Sequence, residues 1–285
     1  MRWQTAKVRR NGHTLHGYHC SVPGQCPLSP TREAGRPPDI GVLLLAPAEN
    51  HLIESLPRTD RLRLRAVCEP VQLALADVLC EQGHATRHVY FPVDGFISLV
   101  TVIDGRAGLE VGMIGREGML GAQLILGVAR APLRALVQGP GAAWRVGATA
   151  FNRELARSKA LQRRLNRYLY VLMAQLAGSA TCLRFHLIDQ RLARWLLMSH
   201  DRAHSDSFHM THEFLAYMLG VRRVGITMAA GTLQRNGLIT YRRGELTVLD
   251  RHGLEAAACG CYAADREAYA SMQRKSPARP LAQPL

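Results

Sequence analysis

The chain has 285 residues, is 47% hydrophobic by composition, and carries 36 Lys and Arg against 22 Asp and Glu, a formal charge of +14. That length and apolar content suffice for two modest domains with buried cores, and the charge predicts attraction to polyanions without specifying a fold. Seven cysteines with no repeating pair pattern exclude a fully paired disulfide framework, and the apolar run at 41–48 falls far short of the roughly 20 residues a spanning helix needs.

Residues 1–45 read as a disordered basic tail, with prolines at 23, 27, 30, 37 and 38. The leading stretch is basic but has no apolar segment long enough for export, so a soluble, cytoplasmic protein without membrane contact is expected. Residues 46–150 are charge-neutral, with 10 basic and 10 acidic side chains from residue 41 on. His51–Leu56 and Arg58–Cys68 have helical spacing. From Val71 to Val146 short strands follow one another (VQLALA, HVYFPVDG, FISLVTVIDG, LEVGMIG, LRALVQGPG), and Asp94-Gly95 and Asp104-Gly105 are the strongest hairpin markers. Close-set short strands predict an antiparallel roll or barrel.

The pattern changes after Phe151, and residues 151–243 hold 15 basic against 5 acidic side chains. Leu161, Leu165, Tyr168, Leu172, Gln175 and Ser179 recur with the alternating three- and four-residue gaps of a helix seam, which predicts a dimerisation helix over 151–183 and a homodimer. A helix packed only on its own domain is the competing reading. A further helix, about His186–His204, carries Leu187, Leu192, Leu196 and Leu197 with Trp195 as anchor.

Residues 210–250 carry the functional signal. Thr211 can cap a helix running to about Leu219 with Phe214, Leu215 and Met218 as its apolar stripe, and Gly220 permits a tight turn. A second helix from about Arg222 to Arg235 has Val224, Met228 and Leu233 as inward candidates. Two short helices around such a turn form a helix-turn-helix, whose second helix can enter the major groove. Arg222 and Arg223 stand at its leading end, where an Arg can fork onto guanine; Thr227 is a further base contact. Asn236-Gly237 ends the helix. Leu238–Tyr241 and Leu246–Leu249 flank a basic turn, a wing whose Arg242 and Arg243 suit phosphates, as do Thr211 and Gln234. Winged helices also hold proteins, so an interaction module that ignores DNA is the alternative. No P-loop, nucleophile elbow or HExxH motif points to an enzyme.

The order of these pieces resembles the family of the cyclic-AMP receptor protein and the fumarate-nitrate reduction regulator (Crp/Fnr), through HVYFPVDGFISLV at 88–100, GREGMLGAQLILG at 115–127 and the 210–249 module. The resemblance covers about residues 46–255. It implies an α+β chain: an antiparallel cyclic-nucleotide-binding-type β-roll at 46–150, the dimerisation helix, a winged helix-turn-helix at 184–255, and a C-terminal tail at 256–285. It further implies a transcription regulator that binds a near-palindromic duplex operator as a homodimer and meets RNA polymerase.

The resemblance also shows where this chain departs. Nucleotide-binding relatives use a Gly-Glu-Leu-Gly-like segment and an Arg-Ser pair; the matching places here are Gly118-Met119-Leu120-Gly121 and Arg130-Ala131. Met119 cannot accept from a ribose hydroxyl and Ala131 has none to offer a phosphate, so an effector pocket without ordinary cyclic-nucleotide affinity is expected. Cys20 and Cys26 lack a nearby third cysteine for a cluster. Cys68, Cys80 and Cys182 read as small core residues, Cys259-Gly260-Cys261 as tail residues with the geometry for a thiol switch, and His84 and His88 as surface residues rather than haem ligands. No metal or cofactor is expected. The family's Arg, Glu and Arg readers align with Arg223, Val224 and Met228, so only the first is kept.

Overall fold

The computed structural model describes residues 49–103, 106–203 and 205–274. The expected tail at 1–45, Cys20, Cys26 and the Asp104-Gly105 turn lie outside the described residues. Two short helices open the described chain, α1 (His51–Glu54) and α2 (Arg58–Ala66). Asn50, wholly buried, caps α1 by accepting from the Leu52 N–H, and its amide donates to Pro92 O (2.9 Å) and Gly118 O (2.8 Å). One side chain thus ties the start of α1 to the end of the strand at His88–Pro92 and to the segment around Gly118.

Seven strands follow: β1 (Glu69–Leu73), β2 (Val78–Cys80), β3 (His88–Pro92), β4 (Phe96–Ile103), β5 (Arg106–Ile114), β6 (Arg134–Gly139) and β7 (Gly141–Gly147). They form two antiparallel sheets, ordered β1-β7-β3 and β2-β6-β4-β5. Leu73, Tyr90, Ile97, Leu99, Ile114, Ala135, Val137 and Ala143 fill the space between them. The expected antiparallel roll is what forms. Asp94-Gly95 does not close a hairpin, however: it passes the chain from β3 in one sheet to β4 in the other. Gly95 sits at φ 70°, and a Cβ there would collide with the carbonyls of Gly139 and Pro140, so only glycine fits. β4 and β5 do form a hairpin, with Ile103 opposite Arg106.

The region read as one helix at 151–183 is two. α3 (Ala148–Arg157) ends at Ser158, whose extended backbone breaks the helix while its hydroxyl accepts from Leu161 N–H (3.0 Å) to start α4 (Lys159–Phe185). After α5 (Ile188–Ala203) come β8 (Ser207–His209), α6 (His212–Leu219), α7 (Arg223–Arg235), β9 (Ile239–Arg242), β10 (Glu245–Val248) and α8 (Arg251–Ala257). Leu192, Trp195, Leu196 and Leu197 enter this core as expected, but Leu187 lies in the α4–α5 link and is exposed.

The expected tail after residue 255 is also different. α9 (Cys261–Gln273) packs along α4, burying Met272 beside Phe151, Leu161 and Leu165. Arg164 and Arg167 donate to the carbonyls of Met272 and Ser271, and buried Arg194 on α5 pairs with Asp265 at 2.5 Å. Tyr262, Asp265, Tyr269 and Met272 form its inward face at helical spacing, with a carboxylate in the middle of the stripe that pairs with Arg194.

The head built from α5 to α8 shares one apolar cluster with Phe96, Val100 and Met113 of the roll. β4 is therefore buried on both faces: Ile97 and Leu99 look into the roll, Phe96 and Val100 toward the helices. Between the two, Glu110 of β5 accepts from Trp195 Nε1 (2.8 Å) on α5 and from Ser98 Oγ (2.5 Å) on β4.

Candidate nucleic-acid interface

Thr211 is the N-cap of α6, its hydroxyl accepting from Phe214 N–H at 3.1 Å. Leu215, Ala216, Met218 and Leu219 are buried, while Phe214 is half-buried with its ring edge against Trp195. Gly220 ends α6 at φ 63°, and its missing side chain leaves room for Leu109, whose Cδ1 would lie 2.8 Å from a Cβ. The turn is thus specified by backbone conformation and by contact with β5 together.

α7 starts with Arg222 as N-cap. Its inward face is Ile226, Ala229, Ala230 and Leu233. Val224 and Met228, read from the sequence as inward with Leu233, face solvent at 62% and 70% exposure. The small alanines let α7 approach its neighbours closely, so the larger apolar residues fall on the free side. That side also presents Arg222, Arg223, Thr227, Gln234 and Arg235.

Two residues that sequence reading passed over hold this surface in shape. His212 stacks on Tyr241 (ring centroids 4.3 Å apart), its Nδ1 meets the Thr227 hydroxyl at 3.1 Å, and Tyr241 donates to Met210 O at 2.7 Å. The Thr227 hydroxyl also donates to Arg223 O. Burial, and then the charge of Arg223, lower the His212 pKa, so the ring is neutral at pH 7. The chain of contacts joins the start of α6, the middle of α7 and the wing.

The wing is the three-stranded sheet β8-β10-β9. Arg242 pairs with Glu245, leaving a two-residue turn in which Arg243 (φ 53°) and Gly244 (φ 87°) both take positive φ, the form that follows the twist of a hairpin. Arg242 and Arg243 are exposed at its tip. Among the described residues, Arg222, Arg223, Arg235, Arg242 and Arg243 enter no ion pair, whereas Arg194, Arg202 and Arg251 behind them are all paired with carboxylates. Positive charge is left unneutralised on the α7 and wing surface and satisfied in the support.

The residues expected on a dimer seam lie elsewhere. Leu161, Leu165 and Tyr168 are almost fully buried within this chain, Tyr168 donating to Met119 O at 3.2 Å, and Leu172 is half-buried beside the roll. Their face packs on α3, α9 and the roll; the exposed face of α4 carries Tyr170 and Met173 instead. Of the expected effector positions, Met119, Gly121 and Ala131 line a cavity of about 170 Å³ together with Leu99, Leu133, Leu172 and Leu176, and Gly118 and Arg130 do not. Met119 and Ala131 are buried. Gly118 lies against the Tyr168 ring, and Gly121 turns at φ 96°. Arg130 donates to Gly83 O at 2.7 Å on the surface. The lining leaves a nucleotide phosphate without a charged partner.

Comparison with known proteins agrees with this geometry. Residues 190–257 match the family described as the Crp-like helix-turn-helix domain. Similar solved structures include FixK2 from Bradyrhizobium japonicum (15% identity, 68% of this chain and 98% of that one, TM-score 0.57). TTHB099, a CRP-family transcriptional regulator from Thermus thermophilus, aligns at 22% identity over 66% of this chain and 96% of its own, with TM-score 0.54. CLP of Xanthomonas campestris, described as a c-di-GMP-responsive global regulator, aligns at 14% identity over 68% and 100% (TM-score 0.54). No curated protein matches the sequence. The chain therefore has the β-roll, long helix and winged-helix fold of the Crp/Fnr regulators.

Proposed function

We propose that this chain is a cytoplasmic, sequence-specific DNA-binding transcription regulator that acts as a homodimer. The observation that carries the reading is the exposed, unpaired arginine set of α7 and the wing, while Arg194, Arg202 and Arg251 behind that surface are paired. Arg222 and Arg223, at the leading end of α7, are placed to fork onto guanine edges. Val224 and Met228 suit the methyl groups of thymine, the apolar element of the major groove. Thr211, Gln234, Arg242 and Arg243 suit phosphates, which fix register without reading sequence. Thr227 contributes through its bond to His212 as well as any base contact.

Dimerisation would use the outer face of α4. Asn166, Tyr170, Met173, Ala177 and Ala180 are exposed there and recur with gaps of four and three. Two copies paired there would offer two α7 helices about 34 Å apart, one duplex turn, to a near-palindromic operator. A dimer seated at a promoter would lie within reach of RNA polymerase.

The test compares Arg223→Ala with wild type on a selected operator and on random duplex. Loss of about 1–3 kcal/mol on the operator alone supports a base contact. Equal losses on both make Arg223 a phosphate contact. Retention on DNA that does not weaken with salt would favour the protein-interaction reading, since phosphate contacts release counterions.

A further inference from the structure

Away from the reading surface, four side chains meet where α4 ends and α9 begins. Cys182 lies in the last turn of α4 and His186 is its C-cap; one helical turn separates them, so they share a side. Cys259 lies in the link after α8, and Cys261 is the first residue of α9. Cys182 Sγ and Cys259 Sγ are 3.5 Å apart, and Cys261 Sγ is 3.6 Å from His186 Nδ1. All four donor atoms lie within 4.8 Å of one another. Cys182 and Cys259 are buried; Cys261 and His186 are half-buried.

From this arrangement we propose that the chain holds one Zn²⁺ in a closed Cys₃His site formed by Cys182, His186, Cys259 and Cys261. The spacing matches the chemistry. Zinc binds thiolate at about 2.3 Å and imidazole at about 2.0–2.1 Å in a tetrahedron, which sets donor-to-donor edges of roughly 3.5–3.8 Å. The two closest pairs already have that separation, before any metal draws the others in. A disulfide needs sulfurs about 2.05 Å apart, which 3.5 Å is not. An iron-sulfur cluster would hold its ligands farther apart, because several metal atoms would stand between them. Three thiolates and one imidazole select a soft or borderline ion over magnesium or calcium, and four protein ligands leave no open position for catalysis.

Charge and position agree with the assignment. Three thiolates around Zn²⁺ leave one negative charge, and Arg191 and Arg194 line the same small cavity as Cys182. The ligands come from two segments, the end of α4 and the α8–α9 link, so one ion would fasten α9 to the point where α4 hands over to α5 and the reading head. Binding would displace three thiol protons to solvent as the metal–sulfur bonds form, with no change of oxidation state.

The experiment uses the full-length protein, purified under reducing conditions from cells grown with added zinc and dialysed without chelator. The expected result is about one zinc per chain by elemental mass spectrometry, falling at least tenfold in Cys259→Ser/Cys261→Ser. Because that variant can also lose its fold, the metal-stripped wild type is titrated with Co²⁺ alone. Intense tetrahedral d–d bands with a thiolate charge-transfer band, reversed by zinc, are expected. Wild type with less than a tenth of a zinc per chain and no such cobalt spectrum would overturn the proposal. So would peptide mapping that shows a Cys182–Cys259 disulfide in metal-free protein, or a folded double variant that keeps its zinc.

Discussion

Replacing Glu110 with Gln isolates the pH response of the contact between roll and reading head. Glu110 as a residue is half-buried, but its carboxyl group is the enclosed end, set between Ser98 (wholly buried) and Trp195. Burial raises its pKa from 4.5 to about 7; the bonds from Ser98 and Trp195, and the charges of Arg194 and Arg202, pull the other way and only partly offset it. The unfolded chain releases this proton near 4.5, whereas the folded chain keeps it to about 7. The folded state is therefore favoured below 4.5, loses that advantage as pH rises, and gains no further penalty above 7. At about 1.4 kcal/mol per pH unit the full change is at most about 3.5 kcal/mol. Gln cannot ionise and can still accept from Trp195 while donating to Ser98. Urea unfolding of both proteins from pH 4 to 8.5 should show the stability of wild type relative to the variant falling by roughly 2–3 kcal/mol across that window. Parallel pH profiles for the two proteins would refute the argument, since they would mean that Glu110 is ionised in the fold or that its proton does not respond to burial.

Three further outcomes are expected. Gly220→Ala, at φ 63° and against Leu109, should cost about 1–2 kcal/mol of unfolding free energy; a neutral substitution would contradict the strained turn. Asp265→Ala leaves Arg194 buried without its carboxylate and should cost about 3–5 kcal/mol in the same assay; a loss under about 1 kcal/mol would show that water reaches the guanidinium. Met173→Glu places a charge on the exposed face of α4 and should move the mass in solution, measured by light scattering, from dimer toward monomer without unfolding the chain. An unchanged mass would place the dimer contact elsewhere.

The amino-acid pattern made the architecture legible because strands and caps write locally. The β-rich stretch to Val146, the Thr211 cap, the Gly220 turn and the Arg242-Arg243-Gly244 wing all follow from short-range rules. Burial was harder to read, since it depends on what a face meets. The Leu161 heptad has the rhythm of an intermolecular seam, yet α3, α9 and the roll cover it; the face left open carries Tyr170 and Met173. Val224 and Met228 look like core by type, but Ala229 and Ala230 already fill the inward face of α7. Asp94-Gly95 has hairpin chemistry, while the strands around it pair with other partners. The cluster at Cys182 and His186 has a local signal, two ligands one turn apart, but Cys259 and Cys261 reach it only because a segment that reads as a tail folds into α9. Contacts between His212, Thr227 and Tyr241 likewise required tertiary placement.

Whether α7 and its wing grip duplex DNA is tested most directly by selection. Full-length protein should be exposed to a randomised duplex library at low ionic strength, and the best-retained site then titrated with salt. Enrichment of a two-fold related sequence is expected, with an affinity that falls linearly on a log–log salt plot, its slope set by the number of phosphates contacted. Recovery of no duplex at low salt would contradict that grip.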